Sequence, residues 1–284
     1  MRVLVLGGAG VLGRAAIPHL LRAHNDVAAT TRRQERLPLI EALGCRAVTL
    51  DAYDRHSVVS AIAAHTPDVL IHLMTDLERG DLATSAALRT TGTRNIVDTA
   101  KAHGVTRIVT ASIAWVYAPG THPATEAEPL GDPQDEPSRT TMQGVRALES
   151  TVNELPGSVV LRLGQLYGPG TWYAPGARHH NTAMAGQLPA TETVRCFIHI
   201  QDAGRALAHA LSWQRGTWNV VDNDPALGWE WVPHFAEAVG APPPPLSVCG
   251  DIGRPVSNAR ALDDGITLTY PTWRGSLGSS GDSV

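Results

Sequence analysis

Gly7-Gly8-Ala9-Gly10-Val11-Leu12-Gly13 is the stretch best suited by type and spacing to chemistry on a nucleotide. It follows the apolar run Val3–Leu6 and precedes a helical pattern through Ile17, Leu20 and Leu21. Glycines between a strand and a helix permit positive φ, let the backbone approach a pyrophosphate, and let helix and strand pack closely. The N–H groups at the helix start lack intrahelical partners and face the anion. A plain tight strand–helix turn is the alternative. About 20 residues further on, where a ribose-binding acid is expected, the chain reads Thr30-Thr31-Arg32-Arg33 and has no carboxylate before Glu35. Two arginines at a helix start oppose its dipole unless an anion sits there, and guanidinium binds a 2′-phosphate bidentately. NADP(H) is therefore expected over NAD(H), with a solvated arginine pair as the alternative. Gly7, Gly10, Val11, Leu12, Gly13, Thr31, Arg32 and Arg33 are the cofactor candidates from this reading.

Other reactive groups are sparser. His179 and His180 have no i, i+4 partner and no nearby cysteine, so no metal is expected, although both could line a pocket. Trp172 and Tyr173 offer either an apolar substrate wall or lobe core. There is no Gly-x-Ser-x-Gly elbow and no setting for a cysteine nucleophile. Cys45, Cys196 and Cys249 are odd in number and widely spaced, which suits reduced thiols in the cytoplasm. A net charge of −4 with no long basic cluster gives no reason to expect nucleic acid. Neither a membrane span nor a signal-peptide pattern is visible. Lys101 is the single lysine among 23 basic residues.

The elements that must position these groups alternate. Strands are expected at Val3–Leu6, Val27–Thr31, Arg46–Leu50, Val69–Leu73, Arg107–Ala111 and Val159–Leu163. Helices are expected after the glycine turn, at Glu35–Leu43, from the N-cap Asp54 to His65, at Leu82–His103 and at Arg139–Glu154. Strands separated by helices imply right-handed crossovers and a doubly wound parallel sheet, with ligands beyond the carboxyl ends of the strands. The pattern breaks over residues 113–138, with five prolines and five acids, a lid or else a solvated excursion. Late strands at Val194–Ile200 and Trp218–Val221 flank a helix at Asp202–Leu211. The expected organisation is a Rossmann-type α/β domain over residues 1–164, completed by 194–222. A small lobe takes 165–193 and 223–274, and a disordered tail takes 275–284.

In this frame the chain resembles the extended short-chain dehydrogenases/reductases, the NAD(P)-dependent epimerases, dehydratases and reductases. The likeness runs from Met1 to about Trp273. Gly7, Gly10 and Gly13 match the GxxGxxG turn, and Leu50-Asp51 falls where the family has an adenine-contacting Asp. Ile71-His72-Leu73-Met74 is similar to the VIHLAA strand end and Gly92-Thr93-Arg94-Asn95 to GTxN. Leu166-Tyr167-Gly168-Pro169-Gly170 contains YGPG, and Phe197 to Asp202 is close to FIHVDD. The resemblance implies a Rossmann domain with a substrate lobe, a small-molecule substrate and a homodimer. It adds Asp51, Ala52, Leu73, Met74 and Asn95 to the cofactor candidates. Trp115 and Gln165 join Trp172, Tyr173, His179 and His180 as substrate candidates.

The departure is in the proton-handling residues. The family uses Ser/Thr after the fifth strand and Tyr-x-x-x-Lys on the next helix, where lysine lowers the tyrosine pKa. No tyrosine here has lysine four places on. Aligning Glu149 with the family acid puts Thr141 and Val145 at the dyad, and a shift by one gives Met142 and Arg146. Arginine supplies charge there but does not titrate. The catalytic serine position falls on Ile113, one residue after Ser112. Ser112 is thus either a donor to substrate or a structural hydroxyl, and Tyr117 either an acid on the loop or a packing residue. Three readings stand: an NADP(H)-dependent reductase or epimerase with a non-standard proton donor, a non-redox cyclase, lyase or isomerase, and a nucleotide sensor.

Overall fold

A computed structural model describes residues 1–75, 82–136, 138–248 and 253–278. In chain order the first elements are β1 (Arg2–Leu6), α1 (Val11–Arg22), β2 (Asp26–Thr31), α2 (Leu37–Glu41), β3 (Arg46–Thr49), α3 (Arg55–His65) and β4 (Val69–His72). Next come α4 (Leu82–Ala87), a π-helical turn (Leu88–Gly92), α5 (Thr93–Ala102), β5 (Arg107–Ile113), α6 (Ser138–Val152), β6 (Gly157–Leu163) and β7 (Gln165–Tyr167). The remainder are α7 (Arg178–Met184), β8 (Val194–Arg195), β9 (Phe197–His199), α8 (Ile200–His209), β10 (Gly216–Val220), β11 (Ala226–Leu227), α9 (Gly228–Ala238) and α10 (Ala259–Asp263).

Among the described residues seven strands form one sheet in the order β10-β6-β5-β4-β1-β2-β3. β1 pairs in parallel with both β2 and β4, so the strand order reverses beside it. This is the doubly wound α/β sheet that the alternation predicts. Strands in such a sheet are covered on both faces, which is why Val3, Leu4, Val5 and Leu6 are all at 0% exposure. Ile96, Val97 and Ala100 of α5 and Leu148 and Val152 of α6 pack with Leu4, Leu70 and Ile108 in one core. Each fully buried side chain of this size contributes about 1.5–3 kcal/mol. Asp54 caps α3 by accepting from His56 N at 2.9 Å, as expected. On the outer surface Arg94 and Lys101 both bind Glu154 and hold its carboxyl well below the usual range.

The chain divides into two compact units. The first is Met1–Ser112, Asp132–Leu161 and Gly204–Thr217; the second is Ile113–Gly131, Arg162–Ala203 and Trp218–Val284. Inside the second, Tyr167, Tyr173, Phe197, Trp231 and Phe235 pack edge to face with centroids 5.5–6.2 Å apart. Such contacts add to the area they bury.

Four local expectations change. The helix expected over Leu82–His103 contains the π turn, where Gly92 comes so close to Leu88 and Ala52 that a Cβ would sit 2.7 and 3.2 Å from their side chains. The strand expected over Val194–Ile200 is two short strands in different sheets, β8 against β11 and β9 against β7. Residues 113–131 leave 119–123 exposed but are anchored at several buried points. Ala114, Tyr117 and Ala124 are core residues with Cys196, Val221 and Val256, and Gly131 N bonds Val116 O at 2.7 Å. Finally, Leu277 is 2% exposed, so packing extends into the expected tail. Residues 279–284 lie outside the described residues, as does Cys249. Cys45 and Cys196 are free and buried.

Candidate functional site

The glycine turn is shaped by close approach. Gly7 has φ +89°, and a Cβ there would press on Leu73 and Met74 at 3.2–3.3 Å. A Cβ on Gly13 would lie 2.6–2.8 Å from the backbone of Gly8 and Gly7. Gly10, the N-cap of α1, is the exception, since its Cβ would meet only Gly7 O, at 3.2 Å. Two glycines thus close the turn and the third leaves its outer side bare. Val11 and Leu12 start the helix above it, with no acidic side chain in the first turn. This cradle suits a pyrophosphate. The residues present therefore fit a nicotinamide dinucleotide.

Thr30 Oγ1 accepts from Gly7 N at 3.2 Å, tying β2 to the turn. Thr31 Oγ1 then accepts from Arg33 N at 3.2 Å, fixing the bend after β2 from which Arg32 and Arg33 project. Arg32 is exposed and Arg33 half-buried. At the end of β3, Asp51 accepts from Tyr53 N at 3.0 Å, and Asn95 Nδ2 donates to Ala52 O at 2.9 Å. Asn95 therefore anchors the loop that carries Asp51 and Ala52. Gly7, Thr31, Arg33, Asp51 and Met74 stand at or just after the carboxyl ends of the neighbouring strands β1 to β4.

The dyad positions hold no acid. Val145 is fully buried and Met142 7% exposed, while Thr141 is half-buried. Arg146 faces solvent, 3.4 Å from Asp132 in an exposed pair worth little. Ser112 is 3% exposed and its Oγ donates to Glu149 Oε1 at 2.7 Å. Its hydroxyl is thus directed to a buried carboxylate of α6. A one-residue step along β5 turns its side chain to α6.

Near Glu149 lies a cation that the sequence reading passed over. Arg89, in the π turn, is 6% exposed; burial lowers its pKa and Glu149 opposes that shift. His72 is buried beside it, lowered to about 4 by desolvation first and by Arg89 second. It is therefore a neutral imidazole, its Nδ1 accepting from Met74 N and its Nε2 donating to Thr93 Oγ1 at 3.0 Å. The available signal was Gly144, where a Cβ would crowd Ala86 and Arg89 Cδ at 3.1–3.4 Å. A glycine in the middle of a helix marks something bulky opposite.

In the second unit Tyr117 is committed as well. Its hydroxyl donates to Asn219 Oδ1 at 2.6 Å and accepts from Arg162 Nη1 at 2.8 Å. Burial raises its pKa, with Arg162 partly opposing. Tyr173 is 4% exposed in the aromatic core, and burial pushes its phenol up. It packs the lobe. His179 lies against both Trp172 and Tyr173 and is lowered to about 4 by burial first. Trp172, Gln165 and His180 are half-buried and Trp115 is 42% exposed. Among the described residues no three His, Cys, Asp or Glu side chains gather as metal ligands, and no helix is long and apolar enough to cross a membrane.

Residues 3–220 match the NAD dependent epimerase/dehydratase family. The chain is similar to the 3-diazoavenalumate denitrifying reductase of a Streptomyces species, at 37% identity over 98% of this chain and 99% of that protein. It is also similar to 2′-dehydrokanamycin reductase of Streptomyces kanamyceticus, at 28% identity over 87% and 69%. In fold it is like the UDP-glucose 4-epimerase of Thermus thermophilus solved with NAD, with a TM-score of 0.76 at 22% identity, covering 97% and 96% of the two chains. A glycine cradle on a doubly wound sheet, matched over most of the chain, settles the affiliation: this protein belongs to the NAD dependent epimerase/dehydratase family.

Proposed function

We propose that the chain is an NADP(H)-dependent reductase of a small molecule whose electrophilic atom accepts hydride without a proton from a tyrosine–lysine pair. The observation that carries this is the state of the hydroxyls and the helix α6. Val145 is buried, Ser112 is bonded to Glu149, and Tyr117 is held between Asn219 and Arg162. Reducing a ketone generates an alkoxide that needs an acid; reducing a cationic electrophile does not. The Streptomyces relative is named a denitrifying reductase of a diazo compound, and an aryl-bound diazo group in its diazonium form is such a cation. When bound, the reduced cofactor supplies one hydride, which converts an aryl diazonium cation to arene and dinitrogen with no proton taken from the protein. The chain's own part is to bind, orient and exclude water. Gly7, Gly10 and Gly13 would hold the pyrophosphate, and Arg32 and Arg33 would hold the 2′-phosphate.

Stopped-flow absorbance of reduced nicotinamide tests the reaction class. With an aryl diazonium salt the signal is expected to fall in step with arene formation, one for one. Product formed while the absorbance stays constant would mean a non-redox enzyme and overturn the proposal. Thr141→Val and Arg146→Ala are expected to keep turnover within about threefold of the parent; abolition by Thr141→Val with cofactor binding intact would make Thr141 the acid. Replacing both Arg32 and Arg33 by Ala is expected to weaken NADPH binding about tenfold or more while NADH binding stays unchanged. Equal loss for both cofactors would remove the 2′-phosphate assignment.

A further inference from the structure

Arg89 is a buried guanidinium whose charge is answered but whose hydrogen bonds are not. It is 6% exposed, its Nε has no partner, and among the described residues none accepts a hydrogen bond from it. A guanidinium carries five N–H donors, and buried donors without acceptors are costly. Glu149 faces it electrostatically, so the negative charge is already present. What is missing is acceptor oxygen, not a second anion. His72 does not supply it, because its ring nitrogens are engaged by Thr93 Oγ1 and Met74 N.

Its place indicates the source of that oxygen. Arg89 sits in a π turn, a distortion frequent at functional sites. Its Cδ lies over Gly144, directly before Val145, one of the two positions at which the resemblance can place the family's lysine. It is also beside His72 at the end of β4, and its counter-charge Glu149 holds Ser112 of β5. The strand order reverses between β1 and β4, and a dinucleotide lies across such a switch point at the carboxyl edge. With the adenosine half on the β1–β2–β3 side, where Arg32 and Arg33 are, the other half extends over β4 and β5. The neutral acceptors that half brings are the two ribose hydroxyls and, further along on the ring, the carboxamide oxygen; the hydroxyls form the adjacent pair that suits a forked guanidinium.

We propose that Arg89 holds the nicotinamide-riboside half of the cofactor by donating to its ribose hydroxyls, a cation supplied from α4's side of the helix pair in place of the lysine absent from α6. This rests on the NADP(H) reading above. The test compares two ligands on the purified full chain by calorimetry: NADPH, and 2′,5′-ADP, which has the adenosine half and its extra phosphate but no nicotinamide riboside. Arg89→Met keeps the length and removes the donors. It is expected to weaken NADPH binding about tenfold or more and to leave 2′,5′-ADP binding within about twofold. Arg89→Lys, which keeps the charge with fewer donors, is expected to recover part of the NADPH affinity. Parental affinity for both ligands in Arg89→Met would overturn the assignment. So would an equal loss for both accompanied by a lower Tm, the mark of a packing role. Failure of the parent protein to bind either ligand would instead sink the NADP(H) reading on which the proposal stands.

Discussion

Gly10→Val is expected to fold like the parent and to lose cofactor, with the Kd for NADPH rising about 100-fold or more, some 2.7 kcal/mol. The argument is steric and local. Gly10 has φ −72° and ψ 168°, extended backbone that valine adopts freely. A Cβ there meets only Gly7 O, at a tight 3.2 Å that a backbone shift of a few tenths of an ångström would relieve. What it fills is the bare outer side of the turn, where backbone N–H groups must reach phosphate oxygens. Gly13→Val is the contrasting case, because its Cβ would be driven to 2.6 Å from Gly8 O. Overpacking against backbone has no flexible side chain to yield. About 2–3 kcal/mol and a Tm lowered by roughly 5–10 °C are expected. Calorimetric titration and thermal melts of the two variants separate the outcomes. NADPH affinity near the parent's in Gly10→Val would show that the turn is not a phosphate cradle.

Asp222→Asn is expected to stabilise the protein above neutral pH, with the gain vanishing in mild acid. Asp222 is 2% exposed, and its Oδ2 is buried with no hydrogen-bond partner. Its Oδ1 accepts from Asp224 N at 3.1 Å. Desolvation, first among the causes, raises its pKa from 3.8 to about 8. A carboxyl with a raised folded pKa binds its proton more tightly when folded. Stability is therefore full below about pH 4, falls as pH rises towards 8 and levels off beyond, at up to about 1.4 kcal/mol per unit. Water entry and relaxation reduce that ideal slope, leaving a penalty on the order of 2–3 kcal/mol at pH 8. Asparagine stays neutral throughout and escapes the penalty. Melting curves at pH 5 and pH 8 should show the variant's advantage growing by about 5–10 °C. An advantage independent of pH would mean that Asp222 does not titrate in this window.

The parts of the molecule readable from residue order are those where local rules and global packing agree. The glycine turn, the β2 end and the cap Asp54 each depend on neighbours close in sequence, and all take the form expected. The strands are near-continuous apolar runs because both faces are covered, so their places are plain and only their ends shift by a residue or two. What residue order conceals is which way a polar side chain turns. Ser112 and Tyr117 offer the same hydroxyls whether they face a substrate or a buried partner. The partners, Glu149 and Asn219, lie 37 and 102 residues away. Arg89 was hidden for the opposite reason. An arginine on a helix reads as solvated surface, and the one hint to the contrary, Gly144, lies 55 residues further on in a different helix. Tyr173 shows the same kind of ambiguity, and in the structure Phe197, Trp231 and Phe235 all pack edge to face against it.

Lys101 has a practical consequence that follows from its solitude. It is the chain's one primary-amine side chain, about 43% accessible and tethered to Glu154 on the outside of α5. Amine-directed dyes or coupling resins would therefore find a single side-chain target besides the N-terminus. That target stands at the far end of α5 from the π turn, so all side-chain labelling would fall on one position outside the glycine turn.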